Sequence, residues 1–256
     1  MSYRDEVLAD LPTVYLRLGE ASGSGTVVDE TGNGHNGTVV GATLGEPGII
    51  GGGDTAARFD GVDDRIVVPN HVNLDTSNYT YEFWFYDTGN SSAGTQQRLV
   101  EYDLFYIYFD EGGVGETSLT DETLLVHNAT FQPRALNVNM TLGHHVVATC
   151  EGLNSEIWVD GVLKGTRADG PATTNGDLWL SGNNDKKYMG VLDEFARYNY
   201  ALSAARIQAH YAAGAPATEV QAFAPDAILA MSGLTGAVAA IQDDPDSPDG
   251  SWLVFG

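Results

Sequence analysis

A chain of 256 residues with 31 glycines and a formal charge of −23 can bury a sizeable core without covalent staples, and its acidity argues against nucleic-acid and anionic-membrane partners. The single cysteine, Cys150, excludes an internal disulfide and reads as a buried strand thiol. No apolar run approaches the ~18 residues of a membrane span, and the N-terminus has neither the basic nor the apolar region of a signal peptide, so folding in a cytoplasm is expected.

Taken in chain order, residues 1–10 read as a short helical or extended lead-in. Leu11–Leu18 is expected as a strand with Val14, Leu16 and Leu18 on one face. A Gly- and Ser-rich stretch then leads to the turn-dense segment Asp29–Gly37, where Gly and Asn supply the positive-φ conformations of tight loops. Short strands are expected over Thr38–Val40, Ala56–Phe59 and Arg65–Val68. Thr80–Tyr86 alternates Tyr81, Phe83 and Phe85 with Glu82, Trp84 and Tyr86, so both faces of that strand carry aromatics. Arg98–Phe109 reads as a hairpin, and Leu124–Asn128, Val146–Cys150, Glu156–Val159 and Leu178–Leu180 complete the strand set. Asp160-Gly161 between apolar pairs is a hairpin-turn signal. One good helix is expected, Ala204–Ala212, capped by Ser203, with Ile207 and Tyr211 one turn apart and Gly214 and Pro216 ending it. Residues 215–227 read as a linker, followed by the small apolar stretch Ile228–Ile241, the acidic run Asp243–Asp249 and the strand-like Trp252–Phe255. An apolar strand at a chain end calls for a partner, so a longer native chain or a second subunit is expected to complete it.

Six segments in order resemble the bacterial laminin-G-like jelly-roll family of concanavalin A-like lectin/glucanase domains. They are Val14–Glu20, the D-x-x-G-N-G-x-x-G-T loop Asp29–Thr38, the F-D-G-x-D-D turn within Ala57–Asp64, Gly143–Thr149 (Gly143 replacing the usual Trp), Trp158–Gly161 and the closing Gly190–Ser203. The resemblance implies an all-β fold: a two-sheet antiparallel jelly-roll sandwich over 11–214, with one short C-terminal helix and an extended C-terminal tail of 228–256. Gly233–Val238, followed by Asp243–Gly250 and Trp252-Leu253, resembles a segment of actinobacterial phage structural proteins. That likeness implies a virion protein, a minor tail or surface decoration, with other virion proteins as partners and host cell-wall glycan as a candidate ligand. A homo-oligomer is the expected state, and a carbohydrate-binding module of a larger bacterial surface or secreted protein is the alternative.

No catalytic constellation is complete. The glucanase branch of this fold carries an E-x-D-x-x-E or E-x-D-x-E pattern on one strand, whose acids serve as nucleophile and general acid. Glu101-Tyr102-Asp103 begins it, but Phe105 and Ile107 follow on the same face and Tyr106 stands where the last acid would fall, so no enzyme is expected. His144 and His145 are adjacent, point to opposite faces and cannot chelate together. Calcium, which takes six to eight oxygen ligands, is the candidate ion, as a structural Ca2+ at Asp29, Asn33 and Asn36; the resemblance would add Asp193 or Glu194. The competing reading is that Asp29 and Asn33 bond their own turn. Asp243–Asp249 is a second acidic candidate. For a sugar, Tyr102, Tyr106 and Tyr108 share a parity opposite to Phe105 and Ile107 and form the expected ligand-facing stripe, while Trp84 and Trp179 are expected in the core.

Overall fold

In a computed structural model the described residues are 1–51, 54–88, 96–103, 105–110, 123–128, 134–135, 138–139, 141–168, 176–182, 186–215, 241–243 and 252–254. Met1–Pro216 forms one compact unit and Ala217–Gly256 another. The first opens with helix α1 (Tyr3–Ala9) and strands β1 (Val14–Leu16), β2 (Thr26–Val27), β3 (Gly37–Val40), β4 (Thr43–Pro47), β5 (Thr55–Asp60) and β6 (Arg65–Val68). It continues through β7 (Tyr79–Asp87), β8 (Gln96–Tyr102), β9 (Phe105–Asp110), β10 (Thr123–Asn128) and β11 (Arg134–Ala135). It closes with β12 (His144–Glu151), β13 (Asn154–Val159), β14 (Val162–Ala168), β15 (Leu178–Leu180), β16 (Met189–Tyr198) and helix α2 (Ala204–Gly214).

These strands form two antiparallel sheets. The first runs β14-β13-β12-β7-β16-β5-β4, with β1 also on β16; the second runs β11-β10-β9-β8-β15-β6-β3-β2. The expected two-sheet sandwich is what the chain builds. Alternation on β7 sends Tyr81, Phe83 and Phe85 into the core between the sheets, where they meet Ile66, Val68, Val100, Ile107, Leu178 and Leu180. The Asp160-Gly161 turn between β13 and β14 has φ of 52° and 70°, the left-handed pair that a two-residue hairpin requires.

Among the described residues two α-helices are present rather than one. The sequence Ser2-Tyr3-Arg4-Asp5 closes a capping box: the Ser2 hydroxyl accepts from the Asp5 N–H, and the Asp5 carboxylate accepts from the Ser2 N–H. Seven residues are too few for a stable isolated helix, so α1 depends on docking Tyr3 and Val7 into a cluster with Trp84 and Trp158 of the first sheet and Ile207 of α2. β16 also escaped the strand pattern, although the resemblance marked its residues as a closing strand. It lies inside the first sheet, and all but Met189 are buried, so no polar alternation betrays it.

Under the helices lies Glu82, 0% exposed. It accepts hydrogen bonds from Tyr3 and Tyr198 hydroxyls at 3.0 Å each, from His145 Nε2 at 2.8 Å and from His210 Nδ1 at 3.0 Å. His210 Nε2 reaches Asp10 at 2.9 Å. With a carboxylate at each ring nitrogen, the geometry favours doubly protonated His210. The network fastens both helices to β7.

The second unit contains an antiparallel pair, β17 (Ile241–Asp243) and β18 (Trp252–Val254), with Asp243 opposite Trp252. The expected linker 215–227, the apolar stretch 228–241 and the acidic run 243–249 lie, but for Ala215, Ile241 and Asp243, outside the described residues. No helix among the described residues is long and apolar enough to cross a membrane.

Candidate functional site

A sandwich has four sheet faces. Two make the core, and α1 and α2 cover much of a third. The outer face of the second sheet remains. Its register aligns Val67 on β6, Trp179 on β15, Glu101 on β8 and Tyr106 on β9, all on the side opposite the core residues Ile66, Leu178, Leu180, Val100 and Ile107. Trp179 and Tyr106 are half-buried. The Arg65 guanidinium lies 5.8 Å from the Trp179 ring centre, and that of Arg98 lies 3.8 Å from the Tyr106 ring centre. Arg98 also pairs with Glu101 at 2.9 Å. Where β15 gives way to β16, the ammonium of Lys187 is held by the carbonyl of Gly182. Burial pushes that ammonium down from the usual lysine range, and the Arg65 charge pushes it further, against the pull of Glu101, Asp63 and Asp64.

Of the expected tyrosine stripe, Tyr106 and Tyr108 do share this face. Tyr102 does not: it is 1% exposed, packs in the inter-sheet core and donates to Asp75 at 2.5 Å. The reason is the turn between β8 and β9, where Asp103 takes φ +53°. Tyr102 pairs across the hairpin with Phe105 and so faces inward with it. Counting parity through a turn gave the wrong face. The same turn separates Glu101 from Asp103, which do not project from one strand. Trp179, expected in the core, belongs to the site, whereas Trp84 is buried as expected. A lone Trp between two leucines fits either face by pattern; only pairing with Glu101 and Val67 fixes it.

The five expected calcium ligands are not gathered into one shell. Asp29 organises its own loop, accepting from the N–H groups of Tyr15, Thr31 and His35 at 3.0–3.1 Å. Asn36 accepts from the Asp29 N–H at 2.8 Å, and Asn33 donates to the Thr13 carbonyl at 3.0 Å. The Asp29 and Asn36 oxygens bond within their own loop, whereas Asn33 reaches out of it through its amide nitrogen. Asp193 and Glu194 instead meet Asp54, with ligand atoms within 4.8 Å of one another. Adjacent strand residues normally face opposite ways, but a register shift in β16 and φ +53° at Glu194 turn both acids to one side. Arg17 bridges Asp54 and Glu194, and Tyr15 donates to Glu194. Asp193 accepts from the Ile49 N–H at 2.8 Å, while its other oxygen is buried without a hydrogen-bond partner among the described residues. Burial raises Asp193 to about 6 and Glu194 to about 7; for Glu194 the Asp193 charge adds to the rise, and Tyr15 and Arg17 oppose it. The oxygen set suits a hard divalent cation, and the partnerless buried oxygen of Asp193 is the feature that fits one.

The family model described as the concanavalin A-like lectin/glucanases superfamily matches residues 60–208. No curated protein matches the sequence. Among solved structures, the binding domain of Paraclostridial mosquitocidal protein 1 is similar, with TM-score 0.59 and 16% identity over 80% of this chain and 52% of that one. Domain 4 of AbnA, a GH43 extracellular arabinanase from Geobacillus stearothermophilus in complex with arabinotriose, gives 0.58 and 19%, over 78% of this chain and 98% of that one. Trypanosoma rangeli sialidase gives 0.57 and 15%, over 77% of this chain and 32% of that one. The chain therefore spans about half the length of the first and about a third of the sialidase. At such identities the likeness carries the fold alone.

Proposed function

This chain belongs to the concanavalin A-like lectin/glucanases superfamily, and from that premise we propose that its sandwich is a non-catalytic glycan-binding domain acting through the outer face of the second sheet. The observation that carries the reading is the row of half-buried Trp179, buried Glu101 and half-buried Tyr106 on the outer face of the second sheet, with Arg65 and Arg98 against the rings. Two aromatic positions two strands apart stand ~10 Å from each other across a sheet, the span of a short oligosaccharide. Ring faces take sugar C–H groups, and the flanking charges take hydroxyls. Glycan-array screening followed by calorimetry tests this. Trp179→Ala is expected to weaken binding about tenfold, equivalent to ~1.4 kcal/mol. An undiminished affinity would move the site elsewhere.

The reading extends to a bacteriophage virion, as a minor tail or surface protein, partnered by other virion proteins and present as a homo-oligomer. Its support is the resemblance of the C-terminal segment to phage structural proteins. Immunogold electron microscopy of virions tests the location. The second reading, a module of a larger secreted bacterial protein, is favoured by the match across 98% of a domain of an extracellular arabinanase. The same proposal includes a structural Ca2+ held by Asp54, Asp193 and Glu194, supported by the partnerless Asp193 oxygen.

A further inference from the structure

Cations are scarce in this chain, 12 against 35 acidic residues. Several of them are neutralised where they stand: Arg4 by Glu30, Arg17 by Asp54 and Glu194, Arg58 by Glu46, Arg98 by Glu101, and Arg206 by Glu6 and Asp10. Buried Arg197 is satisfied by the carbonyls of Asn73 and Leu74 and the hydroxyl of Thr76. Lys187 and Arg65 differ. Lys187 is only 8% exposed, yet its ammonium meets one carbonyl, that of Gly182, and no carboxylate among the described residues. Arg65 gives one N–H to the Asp63 carbonyl at 2.9 Å and makes no ion pair among them. A lysine is almost never buried without a paired charge, because desolvating the ammonium is costly when nothing of opposite sign meets it. Here the cost is carried at the end of β15, where Leu180, two residues before Gly182, pairs with Ile66 next to Arg65, whose guanidinium lies 5.8 Å from the Trp179 ring centre.

Resting on the glycan reading above, we propose that the ligand of this face is an acidic oligosaccharide, whose carboxylate, sulfate or phosphate group is taken by Lys187 and Arg65 while a sugar ring lies on Trp179. Lys187 has two N–H donors beyond the one given to Gly182, and the guanidinium fork of Arg65 matches a planar or tetrahedral oxyanion. The anion would supply the counter-charge that Lys187 does not find among the described residues. Glu101, Asp63 and Asp64 act on Lys187 from farther away, and Glu101 is already tied to Arg98. The neighbouring acids make neutral sugars the competing ligand class.

Calorimetry on the whole chain compares trigalacturonate with galactotriose, 3′-sialyllactose with lactose, and a sulfated heparin tetrasaccharide, which separates carboxylate from sulfate sources. At least one acidic probe is expected to bind about tenfold or more tighter than its neutral counterpart, with the preference shrinking between about 0.05 M and about 0.5 M NaCl as screening grows. Lys187→Met keeps the stem and removes the charge. It is expected to abolish the acidic preference while leaving Tm unchanged or raised, since an unpaired buried charge has been replaced by an apolar group. A purely structural lysine would instead lower Tm. Arg65→Gln, on the half-buried rim, provides the second variant and is expected to reduce the preference as well. Neutral sugars bound through Trp179 as tightly as acidic ones would overturn this inference and leave the glycan reading standing. No binding of either kind would overturn both.

Discussion

At the scale of single residues, the buried acids set opposing pH demands. Asp193 and Glu194, held at about 6 and about 7 by burial, lie above the ordinary carboxylate range, so folding takes up protons there. Their stabilising contribution is complete in acid and is lost as pH rises through those values. Glu82 runs the other way. Burial alone would raise it, but His210 and His145 hold it well below the usual range, so its contribution is present above that range and lost as pH falls. His210 is raised against the effect of burial by Glu82 and Asp10, so its contribution is lost as pH rises through its folded value. Tm is therefore expected to peak between about pH 5 and pH 6. Thermal melts across pH should show Glu194→Gln flattening the neutral limb. Glu82→Gln, which removes the buried one of the two carboxylates that hold the His210 imidazolium, should cost about 3–5 kcal/mol near the peak. A profile unchanged by Glu194→Gln would mean that Arg17 and Tyr15 hold that acid ionised. For the proposed Ca2+, EGTA should lower Tm near neutral pH, where the cation competes with protons on the same acids, and Asp193→Asn should remove the response. No EGTA effect would leave Arg17 as the cluster's own cation.

At the scale of elements, the helical cap shows packing overruling propensity. Gly→Ala inside a helix ordinarily stabilises by ~1 kcal/mol. At Gly214, the last residue of α2, a Cβ would stand 2.7 Å from Trp84 and 2.8 Å from Tyr3, the two rings that seat α1 on the sheet. Gly214→Ala is expected to destabilise by about 1–3 kcal/mol in chemical denaturation; a stabilised variant would show that the cap yields. The elements most legible in the sequence were those with strictly local causes. Asp160-Gly161 marks its turn by left-handed backbone preference, Ser203 marks the start of α2 by its cap, and β7 declares itself by alternation. α1 was half legible, since its capping box is in the sequence but its existence depends on Trp84 and Ile207 far along the chain. β16, covered on both faces, offers no alternation to read, and its bulge at Glu194 has no local sequence mark.

At the scale of the whole molecule, charge dominates. A formal charge of −23 makes the folded chain repel itself. Raising NaCl from about 0.01 M to about 0.15 M shortens the Debye length from ~30 Å to ~8 Å, so Tm is expected to rise over that range. A fall would mean that the Arg206, Arg17 and Arg98 pairs outweigh the repulsion. The sequence alone determined an acidic, Gly-rich chain of short strands with a C-terminal helix, because hydrophobic period, turn chemistry and cap residues act over a few positions; that the strands make a two-sheet sandwich was what the family resemblance implied. It also singled out several residues of the two proposed sites: Glu101 and Tyr106 by pattern, Asp193 and Glu194 through the resemblance. Which of them stand together was decided only by tertiary structure. Tyr102 turned inward because a hairpin turn reset the parity, and Asp193 left Asp29 for Asp54 because a bulge rotated it. Trp179 joined Glu101 on the proposed ligand face only when β15 was laid between β6 and β8. Pairing partners in a sheet lie tens of residues apart, and no local pattern encodes which face they will share.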